Sequence, residues 1–369
     1  MKILHVTDHY PPVLGGIESH VSTLAGHQAR QGHEVVVVTS THADAEGRHC
    51  DDDGAVEVRR VASARAGRCI DLDSFDVVHA HLSVVAPFTS PVAAAAARRV
   101  PTVVTVHSLW DGLGPLPGAA AALAGLRNAP VTWTAVSRVA ARQLAAQLPV
   151  NRHVRVLPNA VDVPPREATP VRGPGEPVRV VSTMRIARRK RPLALLRMFE
   201  TVRRSVDVPV HLTVVGDGPL RPRLERRIDR IGLRPLVTVT GRLDPGDVVR
   251  VLAGADVYVA PAVRESFGLA VLEARSVGLP IVGHAASGVT EFVRDGAEGL
   301  LGDSDPDLTV RLRDLVADGG LRRRVAEHNR VVPSAFTWAS ALVLHERAYL
   351  LAADPAGRRL RRLAEVTGP

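Results

Sequence analysis

The chain has 369 residues, 46% of them hydrophobic but only 3% aromatic, and a formal net charge of +9. That length suits two domains with aliphatic cores. The surplus charge fits a phosphate-bearing ligand, an anionic surface or an ordinary basic exterior. Basic clusters at 185–191, 221–234, 322–324 and 358–362 carry no interleaved aromatics, which argues against single-stranded nucleic acid as a partner. Heavy use of Ala, Arg, Gly, Pro and Val points to a GC-rich bacterial coding sequence. Two cysteines, Cys50 and Cys69, exclude a disulfide framework and a cysteine metal cluster, and fit reduced thiols in a cytoplasmic protein. The first residues read as a strand and not as a signal peptide. No apolar run of about eighteen residues occurs, so any membrane contact is expected to be peripheral, on the inner face.

Short apolar runs alternate with amphipathic stretches, the pattern of a parallel sheet with crossover helices. Residues 2–6 predict a first strand, 7–15 a loop, and 16–31 a helix with Ile17, Val21, Leu24 and Ala25 on one face and Gly32 at its end. Strands are expected at 34–39, 56–61, 76–80, 102–106, 131–136 and 154–157, with Ser137 capping a helix that runs to 148. Residues 163–177 hold five prolines and almost no large apolar side chain, and read as an interdomain linker. The pattern then restarts, with strands at 178–183, 210–215, 236–240, 256–260, 280–282 and 299–301. After Pro306 only helices are expected, at 312–316, 321–326 and 339–351. The expected domains are 1–163, 178–335, and a helical tail, 336–369, packing back on the first domain.

The strongest chemical signal is Glu265-Ser-Phe-Gly-Leu-Ala-Val-Leu-Glu273. A glycine turn that opens a helix after a strand presents free N–H groups and a positive dipole end, a ready phosphate site. Carboxylates beside it are poor phosphate ligands but good acceptors for hydroxyls. A ligand with both, such as a nucleotide sugar, fits. Met184-Arg185-Ile-Ala-Arg188-Arg189-Lys190-Arg191-Pro192 places cations after the strand at 178–183, where such sheets bind ligands and where they neutralise a diphosphate leaving group. Val13-Leu-Gly15-Gly16-Ile-Glu18 puts two glycines after the first strand, with Tyr10 nearby. His107 follows the strand at 102–106. His79 and His81, at i and i+2, point the same way; with no third ligand evident they are read as structural, and no metal is expected. Gly216-Asp-Gly218 lacks the third glycine of a dinucleotide fingerprint, because Arg221 stands there.

The Glu265–Glu273 segment resembles the E-x7-E motif of the retaining glycosyltransferases of family 4, and residues 184–191 resemble that family's G-R-L-x-x-x-K-G segment. Met184 and Arg191 stand where its glycines are usual. The resemblance extends over about residues 2–302 and implies a GT-B architecture, two Rossmann-like α/β domains facing each other across a cleft. It implies a hexosyl transferase that uses a UDP- or GDP-sugar and no cofactor or metal, with a hydroxyl acceptor on a glycolipid, glycan or secondary metabolite. On the resemblance, Glu265, His107, Arg185 and Lys190 are catalytic. Gly16, Arg185, Lys190, Glu265, Ser266, Phe267, Gly268, Leu269 and Glu273 hold the donor, with Glu273 on the ribose. Tyr10, Gly15, Glu18 and Trp110 are candidate acceptor contacts. Two other readings stay open: a two-domain NAD(P)-dependent oxidoreductase, and a non-catalytic nucleotide-sugar-binding protein.

Overall fold

The computed structural model describes residues 1–13, 15–42, 48–50, 54–61, 70–110, 125–126, 128–148, 153–162, 173 and 175–354. The chain divides into two compact units: Met1–Ala160 with Trp338–Pro369, and Val161–Thr337. Most of the expected linker, residues 163–172 and 174, lies outside the described residues, as do Cys69, the 358–362 cluster and residues 111–124.

The first unit contains strands β1 (Lys2–Thr7), β2 (Glu34–Thr39), β3 (Arg48–Cys50), β4 (Val56–Arg60), β5 (Val77–Leu82), β6 (Thr102–Val106), β7 (Thr132–Ala135) and β8 (Val154–Val156). They form one sheet in the order β3-β4-β2-β1-β5-β6-β7-β8, parallel throughout except for the β3–β4 pair. β2 reads Glu-Val-Val-Val-Val-Thr and is buried after its first residue, as a β-branched run flanked by strands and helices must be. Helices α1 (Gly16–Arg30), α2 (Thr89–Ala96) and α3 (Arg138–Ala145) cross between strands. The Ser137 hydroxyl accepts from the Ala140 N–H and caps α3, as its sequence position requires.

The second unit holds β9 (Val178–Thr183), α4 (Pro192–Ser205), β10 (Val210–Val215), α5 (Arg221–Arg230), β11 (Val237–Gly241), α6 (Pro245–Ala253), β12 (Val257–Val259), α7 (Leu269–Ser276), β13 (Ile281–His284), β14 (Gly299–Gly302), α8 (Asp305–Ala317) and α9 (Gly319–Val331). Its sheet is parallel, in the order β11-β10-β9-β12-β13-β14. That is the doubly wound order, with the chain reversing direction between β9 and β12. In sheets of this order ligands bind outside the C-terminal ends of the two strands at the switch, where the loops after β9 and β12 leave the sheet. The core is aliphatic, with Phe199 of α4 and Met198 among Leu195, Leu212, Leu308 and Leu312.

The last described helix, α10 (Trp338–Ala353), belongs to the first unit. Tyr349 and Ala348 pack on Ile3, Val77, Val103 and Leu157, while Trp338, Ala341 and Leu342 pack on Leu24 and Ala160.

Candidate functional site

In the second unit, two loops meet at the strand switch. The loop after β9 is held by backbone bonds from Met184 N–H to Val215 and from Ile186 N–H to Asp217. Gly216 and Gly218 serve this contact: a Cβ on Gly216 would sit 2.0 Å from the Met184 carbonyl oxygen, and one on Gly218 2.7 Å from that of Ile186. These glycines therefore let the loop after β10 approach the backbone of the loop after β9. The loop ends at Arg191, which adopts the left-handed conformation, φ 57° and ψ 46°, that glycine takes without strain. Its guanidinium grips Asp305 in a fork at 2.7 and 2.8 Å and donates to the Pro261 carbonyl at 3.0 Å. The side chain thus ties the loop after β9 to the one after β12 and to the start of α8.

The loop after β12 turns at Gly268, φ 96°, directly before α7. No side chain caps α7, and the Val271 N–H donates back to the Gly268 carbonyl at 3.0 Å, so among the first-turn groups those of Leu269 and Ala270 are left for a ligand. The turn is anchored from beneath. Phe267 is fully buried against Phe292 and Phe336, with ring centres 5.3 and 5.6 Å away. Its ring is packed inside the protein and is not offered to a ligand. The Gly288 N–H donates to the Glu265 carbonyl at 2.8 Å, and a Cβ on Gly288 would lie 2.1 Å from the Ser266 carbonyl oxygen.

Lys190 and Glu265, 75 positions apart, form an ion pair. Glu273, a turn and more into α7, is partly buried and makes no ion pair among the described residues, and desolvation lifts its carboxyl to about 7. Tyr258 of β12 connects the parts. Its hydroxyl donates to the Thr183 carbonyl at 3.0 Å. Burial pushes the phenol up, with the charges of Glu273 and Glu265 adding to the effect, so both glutamates act on one point at the strand switch. Thr183 Oγ1, at the end of β9, is buried without a partner among the described residues. Arg185 is exposed on the same loop as Lys190. The arrangement offers cations and helix amides to a diphosphate, and carboxylates to hydroxyls. Neither Tyr258 nor Thr183 was foreseen from sequence; a lone Tyr within a valine strand is the only hint.

In the first unit, Gly16 opens α1 and Gly15 precedes it, so close to Glu18 that a Cβ would lie 2.3 Å from its carboxylate oxygen. Glu18 is buried and lies 3.8 Å from His9. Tyr10 and Trp110, expected as acceptor contacts, are both buried; Tyr10 packs with Val21, Val35 and Val37, and the Trp110 backbone N–H donates to Gln143. The Asp8 carboxylate, at the end of β1, accepts from the Phe88 and Thr89 N–H groups at the start of α2, each at 3.0 Å. His107, past the end of β6, is buried, and desolvation lowers its pKa to about 3.

His107 is one of six buried histidines beneath the sheet, with His5, His20, His79, His81 and His345. Burial holds each below its ordinary value, His5 and His345 at about 4. The parallel β1–β5 register sets His5 beside His79, supplying the third histidine that spacing alone did not reveal. Ring nitrogens of His5, His79 and His81 lie within 4.8 Å of one another, as a metal ion would need. They are already engaged in hydrogen bonds with each other, Gln28, Tyr349, Thr105 and His107.

The profile described as Glycosyltransferase Family 4 matches residues 14–164, and the one described as Glycosyl transferases group 1 matches residues 167–332. A GDP-mannose-dependent alpha-(1-6)-phosphatidylinositol monomannoside mannosyltransferase of Mycolicibacterium smegmatis is 28% identical over 86% of this chain and 89% of its own. A human phosphatidylinositol N-acetylglucosaminyltransferase chain is 25% identical over 100% of this chain and 80% of its own. Among solved structures, sucrose-phosphate synthase from Thermosynechococcus elongatus superposes with a TM-score of 0.78 at 19% identity, covering 96% of this chain and 100% of the other. Anabaena HepE, solved with UDP, gives 0.72 at 17%, covering 96% and 100%.

Proposed function

Because the chain belongs to glycosyltransferase family 4, we propose that it transfers a hexosyl group from a UDP- or GDP-sugar to an acceptor hydroxyl with retention of anomeric configuration. The observation that carries this reading is the Lys190–Glu265 pair beside the uncapped start of α7, at the switch between β9 and β12. Lys190 has three N–H donors, so it can hold Glu265 and a donor phosphate oxygen together. Arg185 supplies a second cation to the departing diphosphate, and the α7 amides add a fixed dipole. Glu265 accepts from sugar hydroxyls and Glu273 from the ribose. No metal or cofactor enters the scheme.

GDP-mannose heads the donor panel, since a relative aligned over most of both chains is named for it. Two relatives are named for phosphatidylinositol-based acceptors, which favours a glycolipid hydroxyl as acceptor, met by peripheral contact with a membrane. No helix among the described residues is long and apolar enough to cross one.

Calorimetric titration with UDP and GDP, then a panel of their sugars, tests the reading. Binding of one nucleotide, abolished or weakened in Lys190→Ala, is the expected result, with the product's anomeric coupling reporting retention. Binding of neither nucleotide, or wild-type binding in the variant, would refute it.

A further inference from the structure

Four of the buried histidines belong to one unbranched series of hydrogen bonds whose direction is fixed from a single end. A backbone carbonyl can only accept, so Thr134 Oγ1 donates to the Val104 oxygen at 3.1 Å. Thr134 must then accept from Thr105 Oγ1 at 2.6 Å. With its own proton used, Thr105 accepts from His79 Nε2 at 2.7 Å. A neutral imidazole has one ring proton, so His79 Nδ1 accepts from the Tyr349 hydroxyl at 3.0 Å. Tyr349 accepts from the Gln28 amide nitrogen at 2.9 Å. That orients the Gln28 amide, whose oxygen accepts from His5 Nε2 at 2.7 Å. His5 Nδ1 accepts from His81 Nε2 at 2.9 Å, and His81 Nδ1 from His107 Nε2 at 3.1 Å. Every ring in the series is the Nε2–H tautomer. His107, the last, is left with an unprotonated Nδ1.

The series does not conduct protons. A proton entering at His107 would have to leave through an amide and a carbonyl, and neither passes one on. We propose that it is a tautomer lock: the groups from Thr134 through Tyr349 and Gln28 to His81 are positioning residues that present His107 as a neutral hydrogen-bond acceptor through Nδ1. The lock is closed by α10, which contributes Tyr349 from the far end of the chain. His345, on the same helix, is fixed separately by donating from Nδ1 to the Ala341 carbonyl at 2.7 Å. Among the described residues, the titratable groups whose rings or charges act on His107 are His81 of β5, His20 of α1, His345 of α10 and His9 after β1. They are all histidines, so no carboxylate among them favours a charged ring. The consequence for ligands rests on the proposed function: a group meeting Nδ1 would have to bring its own proton, as a sugar hydroxyl does and an ionised phosphate oxygen does not.

The test is long-range proton–nitrogen correlation on the ligand-free full chain labelled with 15N-histidine. In the wild type, His5, His79, His81 and His107 should all show the Nε2–H pattern and stay uncharged between about pH 8 and 6. A His107 in the Nδ1–H form, a charged ring, or a bound metal ion that breaks the series would overturn the proposal. In Tyr349→Phe the Gln28 amide loses its fixed orientation, and the population of His107 with bare Nδ1 should fall by up to about twofold. Thr134→Val frees Thr105 to donate toward His79 and should shift His107 toward Nδ1–H. An unchanged His107 in both Tyr349→Phe and Thr134→Val would show that its tautomer is set locally, and the lock would fall. Since no nucleotide sugar is present, these outcomes are independent of whether the transferase reading holds.

Discussion

Glu273 sits in α7 with its carboxyl raised from its ordinary 4.5 to about 7 by desolvation alone. In the unfolded chain the group ionises near 4.5; in the folded protein it keeps its proton until about 7. The folded state therefore suffers no penalty below 4.5, a growing one between the two values, and the full one above 7. A shift of that size corresponds to a ceiling of ~3 kcal/mol. Partial exposure of the side chain reduces the expected cost to about 1–3 kcal/mol. Glu273→Gln keeps the shape and removes the charge. At pH 8 it should raise the melting transition of the second unit by roughly 2–4 °C per kcal/mol recovered, and at pH 5 by little. Calorimetry is the suitable probe, because Trp110, Trp133 and Trp338 all lie in the first unit. The same substitution should weaken donor binding by ~1.5–3 kcal/mol, the loss of hydrogen bonds to a charged group. A gain in stability coupled to a loss of binding is what a ligand-facing carboxylate held at a cost predicts. A variant no more stable than wild type at pH 8, or equally stabilised at both pH values, would refute the reasoning.

Lys190→Ala should lower donor kcat/KM by ~1–3 kcal/mol while changing stability by less than ~1 kcal/mol, since its pair with Glu265 is partly exposed; steady-state kinetics and a melt check both. Asp305→Ala leaves Arg191 in the left-handed conformation without its fork, and should destabilise more than Arg191→Gly, which relieves about 1 kcal/mol of backbone strain; denaturant midpoints of the two variants give the comparison. Gly288→Ala forces a methyl against the Ser266 carbonyl and should cost ~1–3 kcal/mol together with nucleotide binding, measured by calorimetry. The first unit should be acid-labile. His5, His107 and His345 stay neutral when folded down to about 3 to 4 but charge near 6.5 when unfolded. Stability is therefore present above 6.5 and lost as pH falls, and near pH 5 three such groups give a slope of about 4 kcal/mol per pH unit. Tryptophan-monitored unfolding across that range would show it, and a flat profile would contradict the burial.

Much of the architecture was readable from the sequence, because parallel strands covered on both faces appear as unbroken apolar runs. β2 and β9 fall at the residues predicted, and β5 begins within one position of its expected start. The E-x7-E segment was legible for a related reason: a turn and the helix it opens are local, so the spacing of Glu265, Gly268 and Glu273 already states the geometry. Short strands without a run, such as the antiparallel β3, left no such trace. Nor did the backbone at Arg191, where a residue that ordinarily avoids positive φ is held there by Asp305, more than a hundred positions away. Glu265 and Lys190 are joined only by the order of the strands, and His5, His79, His81 and His107 only by their register. Tyr349 reaches them because the chain returns to its first unit in its last described helix. Local pattern fixes which residues form an element and which way each side chain alternates. Which elements become neighbours is decided by the packing of the whole chain, and polar groups buried by that packing have to find their partners there.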